Sequence, residues 1–134
     1  MTLYLDASAL VSAVVDGPGR VVVLDALDRD SDWCASALAL AEALALIPRL
    51  TDEAVLQNDI EDSLRLLWDR VAIVPVDQQC LDRAANIARE QPVHMSDAIH
   101  LAAADRLPRP LSFVTFDASQ IPVALSMGFD VVSS

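Results

Sequence analysis

Four carboxylates stand apart from the rest of the twenty acidic residues by where they occur. Asp6 follows the short apolar run "TLYL", and Asp117 follows "LSFVTF". Asp97 opens "DAIHLAAA", and Glu42 is the single charge in "SALALAEALALI", residues 36–47. Spread over a helix, the apolar residues of that last stretch cover nearly every face, so the helix is expected to be buried on most sides. An ionised carboxylate there needs compensation, because burying an unpaired charge is costly. A nearby arginine is one solution and a bound cation is another. Four carboxylates brought together would repel one another and partly protonate. A divalent cation such as Mg2+ or Mn2+ removes that conflict, since it prefers hard oxygen ligands and keeps several waters. Such a site polarises a phosphoryl oxygen, lowers the pKa of a bound water and stabilises a leaving oxygen. No Ser–His–Asp arrangement is evident. His94 falls in an expected loop, and His100, three residues after Asp97, is read as packed or hydrogen-bonded rather than catalytic.

Taken singly, three of these acids have plainer roles. Asp6 and Asp117 each precede an expected helix and suit its N-cap, and Asp97 suits a first helical turn. The case for a site depends on the elements that carry them. "TLYLDAS" reads as a strand ending at Asp6, with Ser8 capping the helix "SALVSAVV". "DGPG" breaks that helix and Pro18 starts the next, through "VVVLDALDRD". Residues 32–35 suit a brief strand, Ser36 caps the Glu42 helix, and Pro48 kinks or stops it. Residues 51–70 form a helix with Leu56, Ile60, Leu64 and Leu67 as its apolar stripe and Asp52, Asp59 and Asp62 on a solvated face. "VAIVPV" is a strand, Asp77 opens a helix, and Ser96 caps the helix beginning at Asp97. "LSFVTF" is a strand, "ASQIPVALSMG" is helical up to Gly128, and "FDVV" is the last strand. Short strands alternating with helices predict an α/β fold with a mostly parallel sheet. In such folds sites lie beyond the carboxyl ends of the strands, where Asp6 and Asp117 fall.

Bulk properties narrow the choices further. A chain of 134 residues is expected to be one domain, 1–134, with a sizeable core. All nine bases are Arg, and there are only three Gly, so a Lys-bearing, Gly-rich phosphate loop is excluded. The net charge of −11 argues against tight, purely electrostatic binding of nucleic acid, and 4% aromatics leaves few stacking platforms. Cys34 and Cys80 lie in no metal-ligand spacing and read as reduced packing thiols. With no basic leader and no long uncharged apolar run, the sequence predicts cytoplasmic residence and no membrane span.

"YLDASALV", the isolated Glu42 in its Ala/Leu helix, "SDAIHLAAA" and "FVTFDA" together resemble the four signature segments of PIN-domain proteins, in the right order and over the whole chain. The segments are most similar to those of small VapC-type ribonuclease toxins. That resemblance implies a parallel sheet of about five strands flanked by helices, and an endoribonuclease that uses Mg2+ or Mn2+. It implies that Asp6 and Asp97 are the most direct metal ligands, with Glu42 and Asp117 completing the site and Ser8 and Thr115 as supporting hydroxyls. It also implies a cognate antitoxin, an RNA substrate and a homodimer. Exposed apolar helix surface in "RVVVLDAL" or "LRLLW" would suit such partners, although each patch also reads as core. Family members often carry Lys or Arg just after the first segment, where this chain has no base before Arg20. A selective, shape-dependent RNA substrate is therefore expected. The alternative is a PIN-like protein-interaction module whose acids are structural.

Overall fold

The computed structural model describes residues 1–133. Its elements run β1 (Thr2–Leu5), α1 (Ala7–Val14), α2 (Pro18–Arg29), β2 (Asp32–Ser36), α3 (Ala37–Leu50) and α4 (Ala54–Trp68). They continue with β3 (Ala72–Val74), α5 (Gln78–Glu90), α6 (Met95–Asp105), β4 (Leu111–Val114), α7 (Ile121–Ser126) and β5 (Asp130–Val132). All strand pairs are parallel, in the order β3-β2-β1-β4-β5. The expected fold class, α/β with a parallel sheet of about five strands flanked by helices, is the observed one.

The two-residue period of a strand divides the core into two layers. Leu3, Leu5 and Val114 face a cluster completed by α1, α2, α3 and the Leu64 side of α4. Tyr4 and Phe113 face the opposite cluster, built with α5, α6 and α7. On that side the rings of Tyr4, Phe113 and Phe129 stack with centroids 5.1 and 5.8 Å apart. Helix α6 carries a run of small residues, Ala98 and Ala102 to Ala104, all buried, which lets it sit close against its neighbours. Cys34 and Cys80 are buried as well, and burial pushes both thiols up from their ordinary pKa.

Several local expectations shift. Helix α1 is capped by Asp6 rather than Ser8: Asp6 is the last extended residue, and its Oδ1 accepts from the Ala9 amide at 2.9 Å. Helix α6 begins at Met95 with His94 as its N-cap residue, so Ser96 and Asp97 both lie inside its first turn. Strand β4 stops at Val114, two residues before the expected end, and α7 is a six-residue helix starting at Ile121. Asp117 therefore caps no helix; it accepts from the Ser119 amide in the connecting turn. Helix α3 continues two residues past Pro48.

The expectation that α3 is buried on most sides is also corrected. Only Ala39, Ala43 and Ile47 are fully buried, while Ala37, Ala41 and Ala45 face outward. Alanine is short enough to be apolar in composition yet lie on an open surface at little cost, so a run of Ala and Leu overstates burial. The two apolar patches split in the same way. Val23, Leu27 and Leu64 are core, whereas Val21, Leu24 and Leu66 are exposed. No single helix among the described residues is long and apolar enough to cross a membrane.

Candidate active site

The strand order reverses direction between β1 and β4, the two strands that leave the chain's first and fourth signature segments. Crevices form at the carboxyl edge of a parallel sheet at such a point, because successive crossovers diverge to opposite faces. Leu5 pairs with Val114, so Asp6 and Thr115 emerge side by side, and the Asp6 amide donates to the Val114 carbonyl at 3.3 Å. Here a cavity of about 320 Å³ opens. Asp6, Glu42, Asp97 and Asp117 all line it, together with Ser8, Arg49, His100 and Gln120. All four acids singled out by sequence thus converge, each delivered by a different segment of the fold.

Asp6 is the most enclosed of the four, at 2% exposure. Its Oδ1 accepts from the Ser8 hydroxyl at 2.6 Å and the Ala9 amide at 2.9 Å, and its Oδ2 accepts from the Thr115 hydroxyl at 2.6 Å. Burial raises its pKa, and these three hydrogen bonds oppose that rise. Ser8 and Thr115 are themselves held. The Phe116 amide donates to Ser8 Oγ at 2.9 Å, and the Asp117 amide donates to Thr115 Oγ1 at 3.0 Å. Each hydroxyl accepts from the backbone after β4 and directs its own proton to Asp6. The two supporting residues named from the sequence therefore do touch the carboxylate.

Asp97, in the first turn of α6, accepts from Gln120 Nε2 at 2.8 Å. The Ser119 hydroxyl gives its one proton to Asp117 Oδ1 at 2.7 Å and stands between the two acids, 3.4 Å from Asp97 Oδ2. Gln120 is 2% exposed, and its Oε1 has no hydrogen-bond partner among the described residues. The orientation of that amide follows from Asp97, since a carboxylate must face the amide nitrogen.

The compensation of Glu42 is neither deep burial nor an arginine. Its side chain is 30% exposed, and its Oε1 lies 2.5 Å from His100 Nε2. The other ring nitrogen, Nδ1, lies 2.8 Å from the Tyr4 hydroxyl, which also accepts from the Ser36 amide at 3.2 Å. Burial pushes the Tyr4 phenol well above its ordinary pKa, so it keeps its proton. With Ser36 donating to the oxygen, the tyrosine proton goes to Nδ1. Nδ1 is then the acceptor, and Nε2 carries the proton that reaches Glu42. His100 is hydrogen-bonded, as expected, but to a residue the sequence could not name.

The donors at this site are carboxylate oxygens, which suit a hard divalent cation. Among the described residues no three His, Cys, Asp or Glu side chains stand close enough to form a ready-made metal cage. Mg2+ does not need one, because it is commonly held by one or two carboxylates and retains several waters.

Residues 3–125 match the PIN domain family over nearly the full chain. This chain belongs to the PIN domain family. No curated relative matches it. Solved structures of toxin–antitoxin proteins share its fold. DNA-bound VapBC from Salmonella typhimurium superposes with a TM-score of 0.74 at 15% identity, covering 99% of this chain and 98% of the other. FitAcB from Neisseria gonorrhoeae gives 0.74 at 19% identity, covering 98% and 96%. VapC20 of Mycobacterium tuberculosis, a toxin that cleaves the sarcin-ricin loop, gives 0.68 at 15% identity, covering 91% and 95%. At these identities the likeness is one of fold. Within this PIN domain the four acids, Ser8 and Thr115 named from the sequence are brought together, alongside Arg49, Ser119 and Gln120, which the sequence did not single out. Nothing local marked Gln120: in "ASQIPV" it follows the polar Ser119, and its burial is a property of the fold.

Proposed function

We propose that this PIN domain is a Mg2+- or Mn2+-dependent endoribonuclease that hydrolyses RNA phosphodiester bonds and acts as the toxin of a toxin–antitoxin pair. The reading rests above all on the convergence of Asp6, Glu42, Asp97 and Asp117 on one cavity at the reversal point of the sheet. Asp6 and Asp97 are the residues to hold the cation directly, being the most enclosed and the most firmly oriented. Glu42 has one oxygen committed to His100 and offers the other, and Asp117 completes the set. When bound, the cation would supply charge stabilisation at the phosphoryl group and an acidified water. Ser8, Thr115, His100 and Gln120 keep the carboxylates aimed into the cavity. Solved relatives that are toxin–antitoxin complexes, two of them on DNA, support an antitoxin partner for this chain. A homodimer is part of the same proposal.

The rival reading is a PIN-like interaction module whose acids are structural: Asp6, Asp97 and Glu42 each have protein hydrogen-bond partners without a cation. Calorimetric titration of Mn2+ into the parent chain and Asp6→Asn separates the two. Heat of binding in the parent that disappears in Asp6→Asn is the expected result. Equal heats in both, or none in either, would move the assignment to the interaction module. The variant's circular dichroism spectrum guards against simple unfolding.

A further inference from the structure

The cavity contains one base that no role for the acids absorbs. Arg49 sits in the last turn of α3 and lines the cavity with Glu42, Ala45 and Leu46. The spacing 42, 45, 46, 49 is one face of a helix, so α3 presents an acid, an apolar step and a base in line. Six of the nine arginines make ion pairs with Asp or Glu, and Arg70 lies over the Trp33 ring at 4.4 Å. Among the described residues Arg49 and Arg89 do neither. A guanidinium that shares a cavity with four carboxylates and pairs with none stands beyond ion-pair reach of them. Seven helical steps take the chain from Glu42 to Arg49, about 10 Å along the axis. A base in a final turn also complements the helix dipole, but that role does not require a place in the cavity.

We propose that Arg49 is the anion-binding residue of this site and holds an RNA backbone phosphate flanking the one that is cut, with the intervening sugar or base lying over Ala45 and Leu46. The inference rests on the nuclease reading above. Were Arg49 placed to hold the scissile phosphate itself, it would stand among the carboxylates and pair with them. A single strand of RNA repeats its charge at every nucleotide, so a strand with one phosphate at the acids carries another along the face of α3. Arg49 then compensates, at one point, for the repulsion expected of a chain with net charge −11. Guanidinium also grips phosphate through two parallel N–H bonds, which orients the strand as well as attracting it.

The test is fluorescence anisotropy of a short 5′-fluorescein-labelled single-stranded RNA of mixed sequence. It is titrated with parent, Arg49→Ala, Arg49→Lys and Arg89→Ala across a salt series, with Ca2+ present as an oxygen-seeking cation. Arg49→Ala is expected to weaken binding about tenfold and to flatten the log K against log salt slope by about 0.7, the value for one phosphate contact on a single strand. Arg49→Lys should restore the slope but not all of the affinity, because it keeps the charge and loses the fork. Arg89→Ala removes the same unit of charge from an exposed position outside the cavity and should stay within twofold of the parent. Parent-like binding by Arg49→Ala overturns the proposal. So does an Arg89→Ala loss as large as that of Arg49→Ala, which would reduce the effect to net charge, and so does a parent that does not bind the RNA. Failure of the nuclease reading is distinct: it is read from Mn2+ heats on Asp6→Asn, where Arg49 plays no part.

Discussion

The imidazole of His100, 2% exposed, has one neighbour for each ring nitrogen and no solvent as a substitute for either. The line Ser36 N–H to Tyr4 O–H to His100 to Glu42 therefore sets a carboxylate by way of a proton whose position is fixed by an amide three groups back. His100→Ala should lower catalytic turnover by roughly 10–100-fold, the usual cost of removing a group that orients a ligand. His100→Gln places an amide N–H where Nε2 stood and should recover much of that loss. A residue that merely fills space would give the two variants equal activity at equal stability, so steady-state rates on RNA, read with melting temperatures, decide the matter. Tyr4→Phe should cost about 1–3 kcal/mol of stability, since it leaves Nδ1 and the Ser36 amide without their partner in the core. Denaturant unfolding measures that directly.

At the scale of the element, caps do two jobs in this fold. Asp6 ends β1, caps α1 and lines the cavity. Asp77 caps α5 and pairs with Arg106 at 2.8 Å, remote from the site. The Cys80 amide and then the Arg106 guanidinium hold the Asp77 carboxyl below its ordinary range. Because the folded-state pKa is depressed, the stabilisation is present above the ordinary carboxylate value and fades as pH falls through the depressed one. Asp77→Ala should accordingly lower the melting temperature at neutral pH and melt with a shallower pH dependence below about pH 4. Thermal melts of parent and variant from pH 2 to 7 test this; parallel curves would show that the cap does not contribute.

For the whole molecule, the consequence of crowding four carboxylates at one edge is a fold whose stability should depend on a cation. A ligand that binds only the folded state at about a hundred times its dissociation constant adds roughly 2.7 kcal/mol. In a domain of this size that corresponds to a rise in melting temperature on the order of 10 °C. Saturating Mn2+ should produce such a rise in the parent and little in Asp6→Asn. An equal rise in both would place the cation elsewhere on an acidic surface. The exposed Leu24 and Leu66 line a second groove with Trp33 and Arg70, and it shares no lining residue with the cavity of the four acids.

What could be read from the chain alone was whatever depends on near neighbours. The alternation in "TLYL" and "LSFVTF", the Pro18 helix start, the caps at Ser36 and Asp77, and the parallel α/β order all follow from spacings of a few residues. Those spacings also put Asp6 directly after β1 and Asp117 shortly after β4, which is why these two acids were legible at one edge of the sheet. The partners of those acids were not. Glu42 meets His100 across 58 residues, Thr115 meets Asp6 across 109, and Gln120 meets Asp97 across 23. Each pairing depends on the register of β1 against β4 and on how α3 and α6 pack over the sheet. The outward Ala face of α3 and the place of Arg49 in the cavity were decided at the same level. Local sequence sets which side chains an element offers, whereas the packing of elements against one another sets which of them can touch.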